Sequence, residues 1–295
     1  MDITNFATRS LSVVYDLAPL NLSSAQALPG YAKEIEEFLE LNDPAVKANR
    51  AAHFGADPED FAEKFYDLAP GPVLAGLRHL NANREKPFVF ILPGFAVQPK
   101  HLPLLQDFAR GFAQQPKSFS LWLKPQAVTP LAASSASSRL GQQVWAGHKE
   151  KILEGPAPLG NDRVTLKKQP LDYAWYEKVY AELHQEKPEL ADYIPLSAPE
   201  DLEEALHVYV DEEFAGLIAG QDWPLLGQPG TYFTEILLLK KFRGQGLAPA
   251  LQRKYIAAKG REIIWGTIDG QNFASARTAE RVGRRLVQSE VFFAV

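Results

Sequence analysis

Six consecutive residues, Arg243-Gly244-Gln245-Gly246-Leu247-Ala248, carry the densest chemistry in this chain. They stand between an apolar run, Ile236 to Leu239, and the helix-like stretch from Pro249 to Lys259. A strand, a glycine turn and a helix start, in that order, point several backbone N–H groups at one spot. The positive end of the helix dipole adds to them. Gly246 lets an anion approach the backbone where a side chain would block it, and Arg243 supplies a cation. The result is an anion cradle, with a pyrophosphate as the expected ligand. No Lys-Ser or Lys-Thr pair follows the glycines, which excludes the nucleotide-triphosphate loop. Ala248 and Pro249 stand where a Gly-x-Gly-x-x-Gly fingerprint would continue, which excludes that pattern too.

The elements around the cradle are legible as alternating strands and helices. Leu206 to Asp211 and Glu213 to Gly220 read as two strands joined by a tight acidic turn, and Thr231 to Leu239 as a third. After the helix, Glu262 to Ile268 reads as a strand. Asp269 to Gly283 opens with turn residues and continues as a helix, and Val287 to Val295 is strand-like again.

In this setting Arg243-x-x-Gly246-x-Ala248 resembles the pyrophosphate signature of the GNAT-type N-acetyltransferase superfamily. Asn272, Ser275, Arg277, Glu280, Arg281 and Gly283 are similar to that superfamily's second segment. The resemblance covers residues 163 to 295. It implies acetyl-CoA as cosubstrate, bound by Leu238, Arg243, Gly244, Gln245, Gly246, Leu247 and Ala248, with Asn272 and Ser275 adding contacts. It also implies direct attack by a primary amine on the thioester in a ternary complex, with the backbone N–H of Leu238 facing the oxyanion. Glu235 stands where relatives often carry an acidic residue and is the possible base; its other role is a strand-edge carboxylate paired with a lysine or facing solvent. Ala279 occupies the position at which many relatives place a tyrosine acid, so that role is vacant or filled from elsewhere. By strand parity Tyr232 faces away from Glu235, into the core. Asn272 serves as a contact to the pantetheine arm or as a helix cap, Ser275 as a cap partner or a ligand contact, and Arg277 as a phosphate contact or a solvated surface residue.

A chain of 295 residues with 46% hydrophobic and 11% aromatic content suits about two domains with packed cores. An internal repeat supports that division. Pro58-Glu-Asp-Phe resembles Pro199-Glu-Asp-Leu, Leu74-Ala-Gly-Leu resembles Phe214-Ala-Gly-Leu, Phe90-Ile-Leu-Pro resembles Glu235-Ile-Leu-Leu, and Ser120-Leu-Trp-Leu resembles Ile263-Ile-Trp-Gly. Weaker matches pair Val13 to Leu20 with Val164 to Leu171, and Ser137-Ser-Arg139 with Ser275-Ala-Arg277. All occur in one order at a shift of about 140 residues. The expected architecture is therefore α/β, with two tandem GNAT-like units. Each is a mixed, mostly antiparallel central sheet flanked by helices, over residues 1–155 and 156–295, with the Pro- and Gly-rich stretch 154–162 as linker. In the first copy Val97, Lys100 and Leu102 stand at the positions of Arg243, Gly246 and Ala248, and Pro99 removes a donor. One coenzyme per chain is expected, in the second copy. The run Ala132 to Ser138 reads as a helix start.

Composition bounds the partners. A net charge of −5 argues against nucleic acid. The absence of cysteine excludes disulfides, thiolate metal sites and a cysteine nucleophile. The six histidines show no ligand spacing, so no metal is expected. No basic-then-apolar leader and no membrane-length apolar run is present, so a cytoplasmic protein without membrane contact is expected, as a monomer or homodimer. The acceptor is a small-molecule or peptide amine. Asp211-Glu-Glu is a hairpin turn or a recognition site for a cationic acceptor. Trp223 lines an acceptor pocket or plugs an interface between the copies. Two other functions fit the layout: a non-catalytic acyl-CoA-sensing or protein-interaction module, and a Fem-like aminoacyl transferase, for which a basic surface would be expected.

Overall fold

The computed structural model describes residues 1–186, 188 and 196–295. It divides into two compact units. The first comprises Met1–Ala18, Leu22–Gln143 and Leu286–Val295, and the second Pro19–Asn21 and Val144–Arg285.

In chain order the first part runs α1 (Ile3–Val14), α2 (Ser24–Glu40), α3 (Pro44–Phe54), β1 (Lys64–Leu68), β2 (Gly71–His79), β3 (Pro87–Pro93), α4 (Leu102–Arg110), β4 (Ser118–Leu123), α5 (Pro125–Ala133) and β5 (Arg139–His148). The rest runs α6 (Lys149–Glu154), β6 (Val164–Lys167), α7 (Tyr173–Glu186), β7 (Leu206–Val210), β8 (Glu213–Asp222), β9 (Gly230–Leu238), α8 (Ala248–Lys259), β10 (Ile263–Asp269), α9 (Phe273–Val282) and β11 (Arg285–Ala294).

Unit 1 holds the strand order β1-β2-β3-β4-β11. The first three strands are antiparallel neighbours, β3 and β4 run parallel, and β11 pairs antiparallel with β4. Strand β3 is buried at every residue, as expected for a strand covered on both faces. The first four strands and α4 and α5 pack Val73, Val89, Ile91, Leu105, Phe119, Leu121 and Leu131 into one core, with Val291 and Phe293 of β11 among them. None of residues 94–101, which join β3 to α4, has a positive φ.

Unit 2 holds the order β10-β9-β8-β7-β6. Here β6 to β9 are antiparallel neighbours and β9 and β10 run parallel, linked across α8. The tight turn between β7 and β8 places Asp211 and Glu212 at φ 49° and 65°. Its acidic residues are tied to cations: Asp211 to Arg163, Glu212 to Lys167 and Glu213 to Lys241. The hairpin reading of this segment therefore accounts for its charge. Two apolar layers cover the sheet. Phe233, Ile236, Leu251, Tyr255 and Ile264 pack on the α8 side, and Tyr176, Tyr180, Leu217 and Leu237 on the α7 side.

Both units contain the succession of a 3-10 turn opening Pro-Glu-Asp (Pro58–Phe61 and Pro199–Leu202), two antiparallel strands, a third strand, a helix, and a strand parallel to the third. The two weaker sequence matches do not share this geometry. Val13 lies in α1 whereas Val164 opens β6, and Ser137 precedes β5 whereas Ser275 lies in α9. The serine-rich run also differs from expectation. It closes α5 rather than starting a helix, with Ser134 Oγ and Ser138 Oγ donating to the Leu131 and Ala132 carbonyls, which also accept from the N–H groups of Ser134 and Ser135. The division between units falls at Gln143/Val144 rather than near residue 155, because residues 144–155 are bound into unit 2. Ile152 enters the α8-side core, and the Arg253 guanidinium donates to the carbonyls of Ile152, Leu153 and Gly155.

Candidate functional site

The cradle forms as its residue types dictate. Gly244 and Gly246 adopt φ of +75° and +74°, the left-handed region that disfavours side chains, and a Cβ on either would meet nothing within 4 Å. The space in front of both glycines is open. Leu247 caps α8 and Pro249 follows inside the first turn, where a missing N–H costs nothing. Among the described residues, none accepts a hydrogen bond from the backbone N–H groups of residues 244–248. These groups and the α8 N-terminus provide the donors a pyrophosphate requires.

Arg243 has a more specific place than a free cation. Its Nε donates to the Leu238 carbonyl at 2.6 Å, which ties the end of β9 to the turn, and Gln245 Nε2 ties the turn to the Lys241 carbonyl at 2.8 Å. The cradle is thus held at both sides by its own side chains.

Next to it the parallel pair opens. Strands β9 and β10 are in register only at Gly230↔Ile263, Thr231↔Ile264 and Tyr232↔Trp265. Both strands continue, to Leu238 and Asp269, so a fork opens above Tyr232 and Trp265. The cradle follows β9 and Asn272 follows β10, so both lie at the mouth of this fork. Backbone parity fixes what faces it. Leu239 N–H donates to Ala215 O, toward β8, so the preceding Leu238 presents its N–H to the opposite side, into the fork. Ile236, two residues earlier, does the same. The Leu238 N–H is therefore aimed into the fork, on the side where Arg243 Nε meets the Leu238 carbonyl.

Glu235 is an acidic group on the β9 arm of the fork, and Asp269 ends the β10 arm. The pairing of β8 with β9 slips at Ala219/Gly220, where Ala219 faces Glu235 and Gly220 faces Phe233. This bulge leaves Thr234 without a partner and reverses the facing of the next residues. Phe233 joins the α8-side core, whereas Glu235 turns to the α7 side. Tyr232 consequently shares a face with Glu235 instead of opposing it. It is not a core residue either: its ring meets Trp223 and Trp265 in a part-exposed cluster, with Trp223 itself 53% exposed.

The Glu235 carboxylate is 7% exposed and accepts three hydrogen bonds. Tyr176 and Tyr180 hydroxyls of α7 donate to Oε2 at 2.5 Å, and Ile236 N–H donates to Oε1 at 2.8 Å. Burial raises its pKa above 4.5, and the three donors oppose that rise. The phenols respond in the same sense. Burial and the neighbouring carboxylate push Tyr176 up to about 12 and raise Tyr180 further, so both remain proton donors at neutral pH. Neither tyrosine was identified from the sequence. The available signal was Tyr173-x-x-Tyr176-x-x-x-Tyr180, a one-face helical spacing, but nothing in it points to Glu235 some 55 residues on. The alternative for Glu235 as a lysine-paired edge group does not hold, since phenols and a backbone amide take its oxygens.

At the other side of the fork, Asn272 Oδ1 accepts from Ser275 N–H at 3.1 Å, which makes it the N-cap of α9. Gly283 closes that helix at φ 105°. Asn272→Ala should lower stability by about 1 kcal/mol, read as a fall in melting temperature. Arg277 is exposed, and Ala279 is fully buried, so no acid occupies its position. Among the described residues no group of histidine, aspartate or glutamate side chains could hold a metal ion, and no helix is long and apolar enough to cross a membrane.

The stretch that contains the fork, cradle and second helix matches a known family over residues 170–283. Those residues form an acetyltransferase (GNAT) domain. The GNAT family uses acyl-CoA as cosubstrate. No curated protein matches the chain in sequence. Among solved structures it is similar to a GCN5-related N-acetyltransferase from Sphaerobacter thermophilus, at 13% identity, with 86% of this chain and 91% of that chain covered and a TM-score of 0.44. It is likewise similar to a GCN5-related N-acetyltransferase from Kribbella flavida, at 15% identity, 85% and 94% coverage and a TM-score of 0.42. A tandem GNAT protein from the clavulanic acid biosynthesis pathway matches at 14% identity, 76% and 78% coverage and a TM-score of 0.37.

Proposed function

We propose that unit 2 is an acyl-CoA-dependent N-acyltransferase that moves an acetyl-type group to a primary amine, and that unit 1 is a degenerate copy without coenzyme. The observation that carries this reading is the juxtaposition, beside one another, of unpartnered N–H groups at 244–248 and a fork into which Leu238 N–H points. The pyrophosphate would sit on the cradle, and the pantetheine arm would enter the fork between Leu238 and Asn272.

The chemistry follows from what borders the fork. The amine arrives as an ammonium and must shed a proton before its lone pair can attack. Glu235 Oε1, beside the fork-facing N–H of Ile236, is the base in this account. Attack forms the C–N bond and places charge on the thioester oxygen, which Leu238 N–H stabilises. Collapse restores the carbonyl and breaks the C–S bond, the sulfur leaves with the electron pair, and the nitrogen gives its second proton to the departing thiolate or to water. A thiolate with a reference pKa near 8.5 needs little protonation, which suits a site where Ala279 supplies no acid.

For unit 1, three features support a degenerate copy: the shared succession of elements, Pro99 in place of a donor, and no positive φ between β3 and α4. The net charge of −5 weighs against the aminoacyl-tRNA alternative. The test is release of free CoA thiol from acetyl-CoA in the presence of a panel of primary amines. Amine-dependent release supports the transferase; coenzyme binding without release for any amine leaves the non-catalytic sensor in its place.

A further inference from the structure

The carboxylate of Glu235 is held by groups that its own strand does not supply. Tyr176 and Tyr180 stand one turn apart on α7, so both project from the same face, with ring centroids 4.8 Å apart. They are buried among Leu202, Ala205, Leu217 and Leu237. Two phenol hydroxyls left unpaired in such a layer would be costly. Both end instead on one atom, Glu235 Oε2. Among the described residues no cation pairs with this carboxylate, so its charge is met by the two phenols and the Ile236 N–H.

The lone pairs decide which oxygen is left to act. A carboxylate oxygen offers about two acceptor sites. Oε2 takes both phenols and is filled. Oε1 takes the Ile236 N–H and keeps one site, on the side of the fork that this N–H faces. The phenols are themselves anchored. The Tyr176 hydroxyl accepts from Ser197 N–H at 3.1 Å while it donates to Glu235, and the Tyr173 hydroxyl donates to the Ser197 carbonyl at 2.8 Å. Tyr176 is thus fixed as donor and as acceptor.

We propose that Tyr176 and Tyr180 are positioning residues for the proton transfer: they occupy Oε2 and leave Oε1 as the oxygen that takes the proton of the acceptor ammonium. In that step one N–H bond breaks, an O–H bond forms at Oε1, and the nitrogen keeps the lone pair that attacks the thioester. This rests on Glu235 being the base of the proposed acyl transfer, and adds which atom acts and what holds it.

Tyr180→Phe removes one donor and keeps the ring, and Tyr176→Phe does the same at the other phenol. Because the phenol favours the ionised carboxylate, its loss should raise the proton affinity of Glu235 about tenfold, the equivalent of one hydrogen bond to a charged group. Carbon NMR titration of the full chain, labelled at the glutamate carboxyl carbons and assigned with Glu235→Gln, reads this without any acceptor. The Glu235 midpoint should move to higher pH in both variants. The acid limb of amine-dependent thiol release from acetyl-CoA should move with it, with KM for acetyl-CoA within about twofold. A midpoint unchanged in both variants, with CoA bound as by wild type, overturns the hold on Oε2. A midpoint that moves while the acid limb stays overturns the positioning role and leaves the transferase standing. If no amine draws thiol release from the wild type, the transferase reading and this inference fail together.

Discussion

Gly246→Asp should abolish coenzyme binding without unfolding the chain. Residue 246 sits at φ +74° with no atom within 4 Å of a Cβ, and aspartate is among the few residues that tolerate the left-handed region. Its carboxylate would stand where the pyrophosphate is expected. At an effective dielectric of about 20, two like charges about 5 Å apart repel by about 3 kcal/mol, over a hundredfold in Kd. Gly246→Asn is the control, with the same shape and backbone preference but no charge. Calorimetry should show acetyl-CoA binding lost in the aspartate variant and weakened far less in the asparagine one. Equal losses in both would assign the effect to shape instead of charge.

Glu235→Gln should lower the amine-acylation rate by about 10² to 10⁴ while leaving acyl-CoA affinity within about twofold. The carboxylate is buried on the β9 arm of the fork, and its raised pKa brings it nearer the working pH of a base. Wild-type activity should rise with pH through that raised value, and the glutamine variant should lose this limb. Stability moves the other way. Because the folded state holds the proton more tightly than the unfolded one, Glu235 contributes stability fully below about 4.5, and that contribution is lost as pH rises through the folded pKa. Melting temperatures of wild type relative to Glu235→Gln should therefore fall as pH increases. A variant with full activity would leave Glu235 as a packing residue held by two tyrosines.

What the sequence made legible was local. The cradle, its flanking strand and helix, the hairpin at Asp211 and the α9 cap at Asn272 all follow from glycine conformation, apolar runs and capping chemistry within a dozen residues. The rest depended on tertiary events. A single bulge at Thr234 places Tyr232 and Glu235 on one face, and strict alternation gives the opposite result. The Tyr176–Tyr180–Glu235 cluster joins α7 to β9. Strand β11 belongs to unit 1 although it follows α9, because its partner is β4. A cut of the chain at one point misses this, since sequence order carries no information about which strand edge is free.

Hydrogen exchange with and without acetyl-CoA tests the central claim most directly, that one unit holds the coenzyme and the other does not. The N–H groups of 244–248 have no partner among the described residues, so they should exchange fast in the free protein and slow markedly when a pyrophosphate accepts from them. Peptides covering 236–250 should gain protection and those covering 94–104 should not change. Protection at 94–104, or none at 236–250 under saturating ligand, would contradict the account.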